Sequence, residues 1–210
     1  MQVVSPVTET SLILFDLNGV LYHYDRAVRI SYLAAHAKLS PEAVKAAIWD
    51  SGFEDSGDAG ALDADAYLRG FGACIGVGLT EAEWVAAQFE ALTPVTDSLA
   101  LLRRLRPSVR CAVLTNNNLL VLRHFATFYP EVAALVGERA FVSATFGVRK
   151  PDPEVYRRCL VRLDASPPET LFVDDNPANV AGAREAGLLG HDYTQPDLLV
   201  AALDARGLLA

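Results

Sequence analysis

The chain of 210 residues has only three cysteines, Cys74, Cys111 and Cys159, and nothing in the sequence pairs them. There is no CxxC and no Cys/His ligand spacing, so a disulfide framework and a thiolate metal site are both excluded. The thiols read as free and buried, the ordinary tendency of cysteine. At this length a core can form without staples. Also missing is any apolar run near the ~18 residues of a membrane span. The opening MQVVSPVTET lacks the basic-then-apolar pattern of a leader, and a reduced, cytoplasmic compartment is expected. Cationic charge is scarce, with 18 Lys+Arg against 26 Asp+Glu and a formal charge of −8. No nucleic-acid or membrane partner is therefore expected, since both demand a basic face.

What is present is apolar and periodic. Apolar residues make up 51% and charged ones 21%, a globular composition without repeats or low-complexity tracts. Short apolar runs at Leu12 to Phe15, Cys111 to Leu114, Ala140 to Val142, Leu171 to Val173 and Leu188 to Gly190 read as buried parallel strands. Helical patterns lie between the later ones. Pro153 follows Asp152, Pro177 follows Asn176, and Thr80 with Glu83 forms a capping box. Alternating strands and helices imply an α/β fold, a parallel sheet covered on both faces with ligands bound beyond the carboxyl ends of its strands.

Residues 22–95 break that alternation. They read as consecutive helices around Arg26 to Lys38, Pro41 to Asp50, Asp63 to Cys74 and Thr80 to Leu92, with no strand, and SGFEDSGDAG (51–60) reads as a loop. This stretch carries a net charge of −6 and the rest −2, a second sign of two modules. The expected division is a Rossmann-like core of residues 1–21 and 96–210 with a helical cap of residues 22–95 inserted after the first strand.

The strand ends carry the chemistry. The first strand runs into Asp16, Leu17, Asn18 and Gly19, the second into Thr115 and Asn116, the fourth into Asp174 and Asp175, and Lys150 lies in the loop after the third. Singly, these are common turn formers, helix caps and loop residues. Together at four strand ends they form a constellation. Three gathered carboxylates repel one another unless a cation intervenes. Mg2+ suits them, because it takes oxygen ligands and one or two carboxylates beside a phosphate. Lys150 can neutralise a phosphate, while Thr115, Asn116 and the amides around Gly19 offer donors to its oxygens.

In this order FDLNGV, LTN, the lysine of VRKPDP, and VDD resemble the motifs of the haloacid dehalogenase superfamily over nearly the whole chain. The stretches KPDPEVYRRCL and LFVDDNPANVAGAREAGL look like its sugar-phosphate phosphatases and the phosphatase domain of soluble epoxide hydrolases. The resemblance implies a Rossmann-like core with a helical cap and an Mg2+-dependent hydrolase of small phosphorylated metabolites. Asp16 would become a transient aspartyl phosphate, and Lys150 would orient it. Thr115, Asn116 and Gly19 would bind the phosphoryl group. The metal would sit among Asp16, the main-chain carbonyl of Asn18, Asp175 directly and Asp174 through water.

The departure is Asn18, where the phosphatase pattern has a second Asp that protonates the leaving alcohol. A carboxamide cannot exchange that proton near neutral pH, and losing a general acid costs on the order of 10²- to 10⁴-fold. Several explanations stand: a substitution made to trap a complex, a slow phosphatase limited to good leaving groups, a binding pseudoenzyme, or a dehalogenase, whose halide needs no proton. The intact Asp174-Asp175 pair counts against the last, since dehalogenases of the superfamily use no metal. His23, Tyr24, Trp49, Phe53 and Glu54 are candidates for reading the substrate, with His23 foremost. Trp84 and Phe89 are expected in the core, Arg149 outside the site, and the chain as a monomer or homodimer.

Overall fold

Residues 9–210 are described by a computed structural model; the first eight residues of the expected core range lie outside the description. In chain order the strands are β1 (Leu12–Phe15), β2 (Tyr22–Tyr24), β3 (Leu92–Pro94), β4 (Arg110–Thr115), β5 (Ala140–Val142), β6 (Thr170–Asp174) and β7 (Leu189–Asp192). Five of them form a parallel sheet in the order β5-β4-β1-β6-β7, while β2 and β3 form a separate antiparallel ribbon. The expected α/β parallel fold is therefore observed. The chain builds outward from β1 to β4 and β5, then returns across it to β6 and β7. That reversal opens a crevice over the carboxyl end of β1, where such sheets bind ligands.

Continuous apolar runs make these strands because both sheet faces are covered. Successive strand side chains point to opposite faces. Ile13, Phe15, Val113, Leu171 and Val173 accordingly enter one buried cluster, and Leu12, Leu14, Ala112, Leu114 and Phe172 the other. Phe15 is level with both Val113 and Val173, so Asp16 comes level with Asp174 at the end of β6, while β4 runs two residues past Val113 to Thr115, paired with β5. The polar residues of three strands thus emerge at the same edge of the sheet, Thr115 one residue beyond the level of Asp16 and Asp174.

Between β2 and β3 lie α1 (Arg26–Ala37), α2 (Pro41–Lys45), a wider π turn over Ala46–Asp50, α3 (Phe53–Asp58), α4 (Ala64–Cys74) and α5 (Glu81–Glu90). Thr80 and Glu83 make the capping box at α5. After β3 come α6 (Thr96–Leu102), α7 (Leu119–Arg123), α8 (Phe125–Phe128), α9 (Pro130–Val136), α10 (Pro153–Leu163), α11 (Pro177–Glu185) and α12 (Pro196–Asp204). Asp152 caps α10 and Asn176 caps α11 through their side chains, with proline next in each case.

Four expectations need correction. The Gly- and Asp-rich stretch 51–60 contains helix α3, which sits over Tyr67: Gly57 approaches so closely that any side chain there would strike that ring. The region expected to lack strands is bracketed by β2 and β3, each three residues long and too short to show a period. Trp84 is fully buried as expected, but Phe89 is 54% exposed, because its turn of α5 faces solvent. Among the thiols Cys159 is buried, Cys111 is half-buried and Cys74 is exposed.

Candidate active site

The fold brings Asp16, Asp174 and Asp175 together, with one carboxylate oxygen from each within 4.8 Å of the others. Lys150 reaches this cluster from the loop before α10. Its ammonium lies 2.7 Å from Asp16 Oδ1 and 2.6 Å from Asp174 Oδ2, and its side chain is 1% exposed. One cation facing three carboxylates leaves the cluster short of positive charge. Burial, helped by Asp174 and opposed by Lys150, pushes Asp16 up to about 6. Burial and then Asp174 raise Asp175 as well. Burial would lower Lys150, but Asp16 and Asp174 outweigh it and hold the ammonium above its usual value. A hard divalent cation fits this donor set: all oxygen, anionic, and under-compensated.

The two acids of the pair differ in what they have left to give. Asp174, wholly buried, accepts from the Asn176 amide (2.8 Å), from Asn179 Nδ2 at both oxygens (3.1 and 3.0 Å) and from Lys150. Its acceptor sites are largely filled. Asp175 is the more accessible and the better placed to meet a cation directly. It fits against Gly19, whose φ of +94° suits glycine and where a Cβ would run into the Asp175 carboxylate.

The expected phosphate donors need refinement. Thr115 is 2% exposed, and its hydroxyl accepts from Asn117 Nδ2 at 2.9 Å, which leaves its own hydrogen to donate. The Asn116 side chain is already engaged, giving a hydrogen bond to the Lys150 carbonyl and taking one from the Lys150 amide, each 2.9 Å. Its carboxamide positions Lys150 rather than offering itself to a ligand. The Gly19 amide is likewise committed, donating to the Tyr22 carbonyl at 2.7 Å. What Gly19 contributes is room.

Asn18 is held by the Tyr129 hydroxyl, which donates to Asn18 Oδ1 at 3.4 Å. Burial keeps that phenol protonated well above its ordinary range, so it supplies a hydrogen bond and no titrating proton. Asn18, Asn116 and Asn117 share the lining of a cavity of about 190 Å3 with side chains of the helical insertion, among them Tyr24, Trp49 and Glu54. Of the substrate-reading candidates those three line the cavity. Phe53 instead stacks on Tyr67 at 5.4 Å. His23 does not line it: on β2 it points out, is exposed, and pairs in register with Thr93. Alternation along a strand favours its neighbour Tyr24. Arg149 forms an ion pair with Asp55 of α3.

Several contributors escape sequence reasoning. Asn117, Asn179 and Ser143 are buried polar residues that brace the motif loops. Asn179 stands five residues beyond Asp174, a spacing legible only once α11 is known to turn back over β6. Arg29 has a signal: an arginine amid the apolar face of α1, beside Ile30 and Leu33. It is 2% exposed, pairs with Glu54 at 3.0 Å and takes Tyr24 as a further partner at 3.2 Å.

With this geometry established, comparison with known proteins identifies the family. Residues 10–187 match the model of the haloacid dehalogenase-like hydrolases, and the chain belongs to that family. It is 29% identical over 201 residues to the sesquiterpene phosphatase astK of Aspergillus oryzae, covering 93% of this chain and 95% of that one. It is 26% identical over 190 residues to the D-ribitol-5-phosphate phosphatase of Bacteroides thetaiotaomicron, covering 88% and 91% respectively. Among solved structures, a haloacid dehalogenase family enzyme of Bacteroides thetaiotaomicron in complex with magnesium and inorganic phosphate superposes with a TM-score of 0.76. That match is at 22% identity and covers 88% of this chain and 94% of the other.

Proposed function

We propose that this haloacid dehalogenase-like hydrolase is a phosphomonoesterase that uses Mg2+ and acts on a small phosphorylated metabolite, with the insertion between β2 and β3 serving as its cap. The observation that carries the reading is Lys150 buried between Asp16 and Asp174, with Asp175 beside them at the ends of the central strands. The two relatives named as phosphatases support it. Asp16, Asp175 and the Asn18 carbonyl would hold the ion, with Asp174 behind them. When bound, Mg2+ would neutralise charge on the carboxylates and on a phosphoryl oxygen.

Asp16 is the nucleophile. Its carboxylate attacks phosphorus, forming an Asp16–O–P bond as the bond from phosphorus to the leaving oxygen breaks. Lys150 keeps Asp16 ionised and oriented, and its remaining N–H meets a phosphoryl oxygen. The Thr115 hydroxyl donates to another. Water then attacks the phosphorus of the aspartyl phosphate and frees Asp16. Position 18 is where a proton would be given to the leaving oxygen, and Asn18 has none to give. Turnover is therefore fastest with leaving groups that depart as stable anions, such as acyl or aryl phosphates.

Asn18 is also the specific observation that favours a second reading, a protein that binds a phosphometabolite without hydrolysing it. The chain and its Asn18→Asp variant, assayed on a panel of phosphate esters with Mg2+ and with EDTA, separate the two. A metal-dependent gain in the variant supports a phosphatase scaffold restrained at one position. Silence of both proteins on every ester, with retained phosphate binding, sinks the phosphatase reading in favour of the binding one.

A further inference from the structure

The cavity beside Asn18 has walls that are polar beyond what the protein itself satisfies. Arg29 uses Nη1 for Glu54 and Tyr24, and its guanidinium carbon lies 5.6, 5.2 and 5.1 Å from the rings of Trp49, Phe71 and Trp84. Its Nε and Nη2 have no hydrogen-bond partner among the described residues, and neither do Asp58 Oδ1 nor Gln88 Oε1. Arg29, Asp58 and Gln88 all line this one cavity, and Arg29 and Gln88 are each 2% exposed. Buried polar atoms without partners cost stability and are few in folded proteins. Two unmet donors and two unmet acceptors around one space point to a ligand that both gives and takes hydrogen bonds.

We propose, building on the phosphatase reading, that this cavity selects a short, uncharged, polyhydroxylated leaving group, recognised by Arg29, Asp58 and Gln88. A hydroxyl is the group that donates and accepts at once. Charge argues the same way: Arg29 is already paired with Glu54 at 3.0 Å, so the buried guanidinium has no free charge to balance a second anion. An apolar chain would leave every one of the unmet atoms buried and unpaired. Size sets the length, because about 190 Å3 is room for roughly six waters, hence about six or seven non-hydrogen atoms beyond the phosphate.

The reading side chains are fixed relative to the strand ends. The Asp58 carbonyl accepts from Ser143 Oγ at 2.7 Å, directly after β5. Asp55, one turn earlier on α3, pairs with Arg149 next to Lys150. α3 therefore holds Asp58 against the core rather than leaving it on a mobile loop. Such a site rejects an analogue that lacks the hydroxyls, because its own polar groups then stay unpaired.

Calorimetric binding in Mg2+ tests this without requiring turnover. A tetritol phosphate is compared with n-butyl phosphate, equal in carbon chain, and inorganic phosphate is titrated separately. The tetritol ester is expected to bind at least about ten-fold more tightly than the butyl ester. Gln88→Leu, and independently Asp58→Ala, should each shrink that ratio at least about three-fold. Butyl phosphate binding as well as or better than the tetritol ester overturns the proposal, as does a ratio unmoved by both substitutions. If inorganic phosphate fails to bind in Mg2+, the phosphatase reading itself falls, a result distinct from failure to discriminate the two esters.

Discussion

Two buried cations anchor two halves of the site, and they are treated differently. Lys150, in the sheet core, bridges Asp16 and Asp174 at 2.7 and 2.6 Å, and Asp174 is held in turn by Asn176 and Asn179. Arg29, in the insertion, is pinned at one edge by Glu54 and Tyr24 and left unmet at the other. The core half is short of charge, one lysine against three carboxylates, a deficit that a divalent cation would meet. The insertion half is incomplete in hydrogen bonds, as suits a leaving group that brings them. On the proposed function, pre-organisation is concentrated where charge would develop, and unsatisfied polarity where selectivity would be exerted.

If that contrast is right, the greatest damage comes from the core cation. Lys150→Met strands two carboxylates of which Asp174 is wholly buried and Asp16 nearly so, and removing one partner of a buried pair costs about 3–5 kcal/mol. Guanidinium denaturation at pH 7 should show the loss, and the variant should recover part of it at pH 5, where protonation of Asp16 relieves the unpaired charge. A denaturation midpoint unchanged at pH 7 would mean that Lys150 is not the neutralising group. Asn18→Asp should act on rate instead, raising Mg2+-dependent hydrolysis of alkyl phosphates on the order of 10²- to 10⁴-fold. The new carboxylate would inherit the Tyr129 hydroxyl that now donates to Asn18. The gain should be small for acyl phosphates, whose leaving group needs no proton. An equal gain on both ester types would break the assignment of position 18 to leaving-group protonation.

The two halves also differ in how much of them the sequence discloses. The core is legible because parallel strands buried on both faces must be continuous apolar runs, and the residues after each run must surface at the carboxyl edge of the sheet. Asp16, Thr115, Lys150, Asp174 and Asp175 are found that way. The bracing partners are not: Asn116 turns its carboxamide onto the Lys150 main chain, and Asn179 reaches Asp174 only because α11 folds back. In the insertion, periodicity locates the long helices but misses α3, whose Ser and Gly have poor helix propensity and whose helix rests on Tyr67 and Ser143. Residue type alone favours His23 over Tyr24. A three-residue strand presents one side chain and turns the next inward, and the inward one is the half-buried Tyr24.

Comparing the cations directly is the next test. Arg29→Met should cost less than Lys150→Met, because Glu54 keeps the Tyr67 hydroxyl as partner and the removal also abolishes two nitrogens whose N–H groups are unmet. The Trp49, Phe71 and Trp84 faces would still pack against the methionine thioether. The two variants, unfolded side by side in guanidinium, decide the matter: an Arg29→Met loss equal to that at Lys150 would show the insertion cation to be as fully compensated as the core one.

The smallest effect should come from Asp58, and its sign is diagnostic. Burial chiefly, with Glu54 and Asp55 on its own helix, raises this carboxyl well above its usual range, against the opposing pull of Arg149 and Arg29. A carboxyl that holds its proton more tightly when folded favours the folded state at low pH, and that advantage is lost as pH rises through the folded value. A neutral carboxamide in its place would carry no such liability. Asp58→Asn should therefore raise the melting temperature, and by more at pH 8 than at pH 5. The core offers the control, since Asp174→Asn removes a charge that Lys150 needs and should lower the melting temperature at pH 8. If both substitutions shift melting in the same direction, the contrast between a charge-paired core and an unsatisfied insertion does not hold; opposite signs would locate the unmet polarity in the insertion.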